Sequence, residues 1–123
     1  MNATPSKAND LEKRLIRFAA AIVGLSAKPP RTPQGRHICD QILRSGTATA
    51  ANYGEARGAE SRADFSHTLK IVFKELSETT IWLEVISQSS LLPPEAVGPI
   101  LSENRELCRI IGASIRTARA SGT

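Results

Sequence analysis

Apolar residues recur along this chain in steps of three and four, and this spacing predicts four helices. The helices are predicted at about residues 10–27, 33–57, 62–90 and 95–120. The spacing places the apolar side chains on one face of each helix, where they can be buried together. No segment alternates apolar and polar residues with the period of two that marks a β-strand, so the sequence predicts an all-α fold.

Prolines and capping residues interrupt the pattern at three short breaks. Pro29 and Pro30 end the first helix, because proline cannot continue a helix and also restricts the residue before it. Thr32 is the predicted N-cap of the second helix, and the run SRAD at 61–64 resembles a capping box that begins the third. The run LPP at 92–94 separates the third helix from the fourth.

Long helices joined by short connections pack as antiparallel neighbours, and four of them form an up-down-up-down four-helix bundle. The sequence therefore predicts one bundle domain over residues 10–121, preceded by a flexible polar tail at residues 1–9. No signal peptide is visible, and no apolar run is long enough to span a bilayer. We therefore expect a cytoplasmic protein that does not insert into a membrane.

The second helix carries small and polar residues on its inward face, where the other helices carry mainly leucine, isoleucine or valine. Ser45, Gly46 and Thr49 follow this face, and Asn52 continues the same spacing. Small residues let a neighbouring backbone approach closely, and a buried asparagine requires a specific hydrogen-bond partner. The pattern predicts that Asn52 is buried and bonded to Glu78 or to a helix backbone group.

The third helix carries more apolar residues than one inward face needs, which predicts that a second subunit covers part of it. The additional residues are Ile71, Phe73, Ile81, Trp82 and Val85. A helix that is apolar over a wide arc is buried on more than one side, and aromatic residues are enriched at subunit interfaces. The alternative is that the first helix of the same chain covers this surface.

The net charge of +4 permits contact with nucleic acid but does not require it. Four arginines lie on the side of the fourth helix away from its apolar face: Arg105, Arg109, Arg116 and Arg119. Arginine binds phosphate well, so these residues are the candidate nucleic-acid-binding site. The alternative is an ordinary solvated face, partly neutralised by Glu103 and Glu106. No aromatic residues interleave with these arginines in the way that base stacking uses, so sequence-specific readout of a single strand is not expected.

The sequence does not supply a complete set of catalytic or metal-binding residues. A di-iron bundle enzyme needs two Glu-x-x-His pairs and two further glutamates, whereas this chain has a single acidic-x-x-His run, at 64–67. Glu75 and Glu78 lie on a partly apolar face and need partners, for which Arg44 and Asn52 are the candidates. We therefore expect a non-enzymatic protein without a metal or another cofactor.

The run RSGTATAANYGE at 44–55, and the run KELSETTIWL at 74–83, are similar to four-helix bundle proteins encoded in intervening sequences of bacterial 23S rRNA genes, often labelled S23 proteins. The likeness extends over roughly residues 10–120. The motif residues singled out by it are Arg44, Ser45, Asn52, Glu55, Glu75 and Glu78. One departure is the pair Glu55-Ala56, where the family commonly has Glu-Gly.

This resemblance implies a left-handed bundle that assembles as a ring-like homopentamer, and it carries over no catalytic residues. The chain also resembles the accessory protein of diversity-generating retroelements, a pentameric bundle that works with a reverse transcriptase and nucleic acid. Our leading hypothesis is a non-enzymatic homopentamer that binds RNA or DNA through backbone contacts. The second hypothesis is an interaction scaffold with a protein partner, and the third is a di-metal bundle enzyme.

Overall fold

The computed structural model describes residues 6–121, and within that range it contains four helices and no strand. The helices are α1 (Lys7–Ser26), α2 (Pro33–Arg57), α3 (Arg62–Gln88) and α4 (Pro94–Ser121). Packing contacts join α1 to α2, α2 to α3, α3 to α4 and α4 back to α1, around one apolar core. This arrangement is consistent with a four-helix bundle and confirms the predicted all-α fold.

Helix α1 begins three residues before the predicted start at residue 10. Ser6 caps it, because the Ser6 hydroxyl oxygen accepts a hydrogen bond from the backbone N–H of Asn9 at 3.0 Å. Residues 7–9 of the predicted tail therefore belong to the helix, while residues 1–5 lie outside the described residues.

The predicted caps of α2 and α3 are confirmed. The Thr32 hydroxyl accepts a hydrogen bond from the N–H of Gly35, and the Ser61 hydroxyl accepts one from the N–H of Asp64, each at 3.0 Å. These bonds satisfy backbone donors that have no partner inside the helix. The two helices therefore begin within one residue of the predicted positions.

Replacing Ser61 with alanine is expected to lower the free energy of unfolding by about 1 kcal/mol, because the N–H of Asp64 loses its acceptor. Ser61→Gly is the matched control, since a glycine cap is expected to cost only about a few tenths of a kcal/mol. Urea denaturation of the three proteins measures the difference. Equal stability of Ser61→Ala and the parent protein contradicts the role of this cap.

The small inward face of α2 is confirmed at Ser45, Gly46 and Thr49, all of which are buried. A side-chain carbon added at Gly46 would lie 2.7 Å from a side-chain carbon of Ile22, so the absence of a side chain lets α1 and α2 meet. The Ser45 hydroxyl shares a hydrogen bond with the Thr79 hydroxyl at 2.9 Å, which joins α2 to α3 in the core.

The predicted burial of Asn52 is wrong, because this residue is half-buried. After Thr49 the buried face of α2 continues at Tyr53 and Ala56. Asn52 lies at the edge of this face. The side-chain amide of Asn52 forms no hydrogen bond with a residue in the 6–121 range, and the predicted bond to Glu78 is therefore not present.

The buried amide of this bundle is Asn104 on α4, whose exposed fraction is 0%. Its Nδ2 donates a hydrogen bond to the backbone oxygen of Leu76 at 3.2 Å, and its Oδ1 accepts one from the hydroxyl of Thr80. Both partners lie on α3, so one side chain fixes the relative position of the two helices. A buried amide with both functions satisfied favours a single packing arrangement.

Candidate nucleic-acid interface

Three of the four arginines predicted to bind nucleic acid border a groove between α3 and α4. Arg109 and Arg116 line one depression of about 380 Å³ beside the ring of Phe73. Arg116 and Arg119 line an adjoining depression of about 340 Å³ together with Lys70 of α3. With a rise of about 1.5 Å per residue, the arginines from 105 to 119 extend over about 21 Å of α4. The groove therefore runs along the outer side of one helix pair.

Two of the four arginines are paired with acidic residues. Arg105 Nη2 lies 3.2 Å from Glu84 Oε2 across the groove, and Arg109 is bonded to Glu106 one turn earlier on α4. Pairing neutralises the charge that these arginines contribute to the surface. This end of the groove is therefore close to neutral.

The other end of the groove is positively charged. Lys70, Arg116 and Arg119 are exposed, and none of them forms an ion pair with another residue in the 6–121 range. We call these three residues the cationic half of the groove. Lys70 was missed by the sequence prediction because it comes from a different helix than the arginines.

The predicted interface residues do not form one surface. Ile71 and Trp82 are half-buried on the side of α3 that also carries the Arg44 contacts described below. Phe73 lies on the opposite side, beside Gly112 of α4. Ile81 and Val85 point outward one turn apart, with exposed fractions of 60% and 38%. This pair and the equally exposed Phe73 are candidates for contact with a second subunit, and that contact stays a prediction.

The predicted partners of Glu75 and Glu78 are found on α2. Arg44 Nη1 lies 3.5 Å from Glu75 Oε2, and Arg44 Nη2 bonds to Glu78. The indole N–H of Trp82 also donates a hydrogen bond to Glu78, at 3.0 Å. Because one guanidinium faces both carboxylates, this cluster joins α2 to α3 and does not leave an unpaired acid for catalysis. The remaining motif residue, Glu55, is exposed.

A second groove, of about 520 Å³, lies between α1 and α4 and is lined by Leu11, Arg14, Tyr53 and Ile110 among others. Two hydrogen bonds of 2.7 Å join the Arg14 guanidinium to the carboxylate of Glu103. The hydrogen bond from Arg14 lowers the pKa of Glu103, so this pair remains ionised at neutral pH. The pair ties α1 to α4.

The described part of the chain does not bring three metal-ligating side chains together. Cys39 and Cys108 are free and half-buried, and burial raises the pKa of each thiol. A raised pKa keeps a thiol protonated and therefore a poor nucleophile. Among the described helices, none combines the length and the apolar character needed to cross a membrane.

Comparison with known proteins identifies the family. The sequence model of the 23S rRNA-intervening sequence proteins matches residues 7–113. The chain belongs to this family. A crystal structure from Bacteroides thetaiotaomicron VPI-5482, described as a protein with unknown function from the S23 ribosomal protein family, is similar to it with a TM-score of 0.83 and 33% sequence identity. The match covers 90% of this chain and 99% of that chain. No match was found among the curated proteins.

Membership of the 23S rRNA-intervening sequence family confirms the resemblance seen in the sequence at 44–55. The matched residues include the contacts of Arg44 and the buried Asn104. They end at residue 113, before Arg116 and Arg119. Of the cationic half, Lys70 lies within the matched residues, whereas the two arginines lie beyond them.

Proposed function

We propose that this protein is a non-enzymatic, cytoplasmic homo-oligomer that binds RNA or DNA through the phosphate backbone. The observation that carries the proposal is the cationic half of the α3–α4 groove, where Lys70, Arg116 and Arg119 are exposed and have no acidic partner among the described residues. Arginine and lysine bind phosphates with little regard to base sequence. The groove therefore suits a backbone contact better than a sequence-specific one.

We also propose that the helices alternate in direction in a left-handed bundle and that five copies close into a ring. Contacts between α3 and α4 support the alternation, because Phe73 lies beside Gly112 whereas Thr80 bonds to Asn104. The residue numbers thus rise along one helix as they fall along the other. A ring repeats the cationic half around its axis, so the fields of several weak patches add.

Light scattering with mass resolution tests the assembly. We expect a mass equal to five times that of the 13.2 kDa chain. The exposed pair Ile81 and Val85 supports such an assembly, because adjacent apolar residues on a helix surface favour contact with a partner. A stable monomer at micromolar concentration contradicts it.

Replacing both Arg116 and Arg119 with glutamine is expected to weaken binding to all nucleic-acid sequences alike. Affinity decreases as the salt concentration rises, and this dependence should become weaker in the variant. The slope of log affinity against log salt concentration should become less steep by roughly 1 to 2, because about two phosphate contacts are lost. Gel-shift titrations at two salt concentrations measure both quantities. The matched control replaces the paired residues Arg105 and Glu84 together with glutamine, which leaves the net charge unchanged, and should show a smaller effect.

If the parent protein retains no nucleic acid even at low salt, the proposal is wrong and the hypothesis of a protein partner replaces it. If both double variants lose binding equally, the cationic half is not the contact surface. The two results are distinguishable, because the first concerns the parent protein and the second compares variants.

A further inference from the structure

We infer that the α3–α4 groove binds a single-stranded nucleic acid, with one base stacked on the ring of Phe73 and the neighbouring phosphates bound by Lys70, Arg116 and Arg119. This inference rests on the proposed function and deepens it, because it names the form of nucleic acid and the residue that contacts a base.

The position of Phe73 is the first observation. This side chain is 38% exposed, although phenylalanine is usually buried, and it lines both depressions of the groove. The ring lies beside Gly112: a side-chain carbon added there would be 3.5 Å from Phe73 Cε2. Because Gly112 has no side chain, the groove stays open next to the ring. A planar ligand can reach the aromatic surface from solvent.

The cations around Phe73 are the second observation. Arg116 Nη1 lies 3.6 Å from the same added carbon at Gly112, so the guanidinium and the aromatic ring converge on one place. Lys70 lies one turn before Phe73 on α3, and Arg119 lies about one turn beyond Arg116 on α4. The aromatic ring is therefore bordered by positive charge from both helices. Proteins that bind single strands combine an aromatic stacking surface with a basic groove in this way.

A single strand fits these observations better than a duplex or an acidic protein. In a duplex the base faces are covered by their neighbours, so an aromatic ring in an open groove finds no face to stack on. An acidic peptide would contact the cations, but the groove has no enclosed apolar cavity that would bind a peptide side chain at Phe73. The combination of an open ring and flanking cations favours unpaired bases.

The sequence shows no aromatic residue interleaved with the arginines of α4, and sequence-specific readout of a single strand was therefore not expected. The fold places Phe73 of α3 in the same groove as Arg109, Arg116, Arg119 and Lys70. The stacking surface is therefore assembled from two helices.

The test uses the intact protein and three fluorescently labelled ligands: an oligo(dT) or oligo(rU) strand, the same strand with abasic sites and therefore the same length and charge, and a duplex of the same length. The parent protein should bind the strand with bases roughly 5- to 150-fold more tightly than the abasic strand, as expected from one stacked base. Phe73→Leu should abolish that difference and leave duplex affinity unchanged. The leucine keeps an apolar side chain beside Gly112, so the bundle should remain folded.

Val23→Ala is the matched control, because Val23 is another exposed apolar residue but lies on α1 and does not line the groove. It should keep the preference for bases. The inference is overturned if Phe73→Leu keeps that preference, or if poly-glutamate competes as well as the strand with bases at equal ionic strength. It is also overturned if Phe73→Leu dissociates the oligomer in light scattering, because Phe73 then belongs to a subunit interface.

A parent protein that binds neither strand nor duplex at low salt defeats the proposed function itself. A parent protein that binds both strands equally defeats only the inference about Phe73.

Discussion

Replacing Asn104 with aspartate is expected to destabilise the bundle by about 3 kcal/mol or more at neutral pH, because it places an unpaired charge in the core. The side chain of Asn104 is fully buried, and its Nδ2 donates to the backbone oxygen of Leu76. A carboxylate has the same shape but no donor, so one of its oxygens would face the Leu76 oxygen without a proton between them. The Thr80 hydroxyl satisfies only the other oxygen.

The destabilisation at Asn104 should depend on pH. Burial raises the pKa of the introduced carboxyl group in the folded state above its value of about 3.9 in the unfolded state. Its protonated form is tolerated below the unfolded pKa, and stability is lost as the pH rises through the folded pKa. Urea denaturation at several pH values should therefore show the variant approaching the parent protein as the pH falls.

Asn52→Asp is the matched control for this experiment. Asn52 is half-buried, so a charge there remains partly solvated and should change stability by less than about 1 kcal/mol. If the two aspartate variants have the same stability at neutral pH, a charge at the buried position 104 is no more costly than one at the half-buried position 52, and the prediction is wrong.

Replacing Gly46 with alanine is expected to lower the free energy of unfolding by roughly 1 to 3 kcal/mol. The new methyl group would lie 2.7 Å from a carbon of Ile22, which is itself fully buried and cannot move aside without shifting α1. Alanine is a better helix former than glycine by about 1 kcal/mol, so the measured loss is what remains after that gain.

Gly24→Ala is the matched control. Apart from its chain neighbours and the nearby backbone of α1, no atom lies within 4 Å of a side-chain carbon added at Gly24. This variant should gain up to about 1 kcal/mol. Thermal or urea unfolding of both variants separates packing from helix propensity. A stabilised Gly46→Ala variant contradicts the close approach of α1 and α2.

The helices could be predicted from the sequence because each buries one face, and burial repeats with the helical period. The helical period did not show which asparagine is fully buried. The positions after Thr49 allow either Asn52 or Tyr53 to continue the buried face of α2, and a small difference in angle decides between them. Asn104 occupies a position in the apolar pattern of α4. Its hydrogen-bond partners lie on α3, so the sequence of α4 alone does not identify them.

The sequence predicted the arginine face of α4 but not the groove beside it. The arginines of α4 share one side because of their spacing, which the sequence shows directly. The contribution of Phe73 and Lys70, and the pairing of Arg105 with Glu84, depend on which helices are neighbours. Contacts between residues far apart in the chain leave no local pattern, so they were found only in the structure.

The ion pairs at the neutral end of the groove have an evolutionary consequence. Glu84 and Glu106 lie at the surface, and each masks one arginine without taking part in the core. A mutation that removes either acid unmasks a positive charge next to those already present and leaves the packing of the helices unchanged. A single substitution at either position could thus change how strongly a relative of this protein attracts polyanions. Such a substitution would not change the stability of the fold.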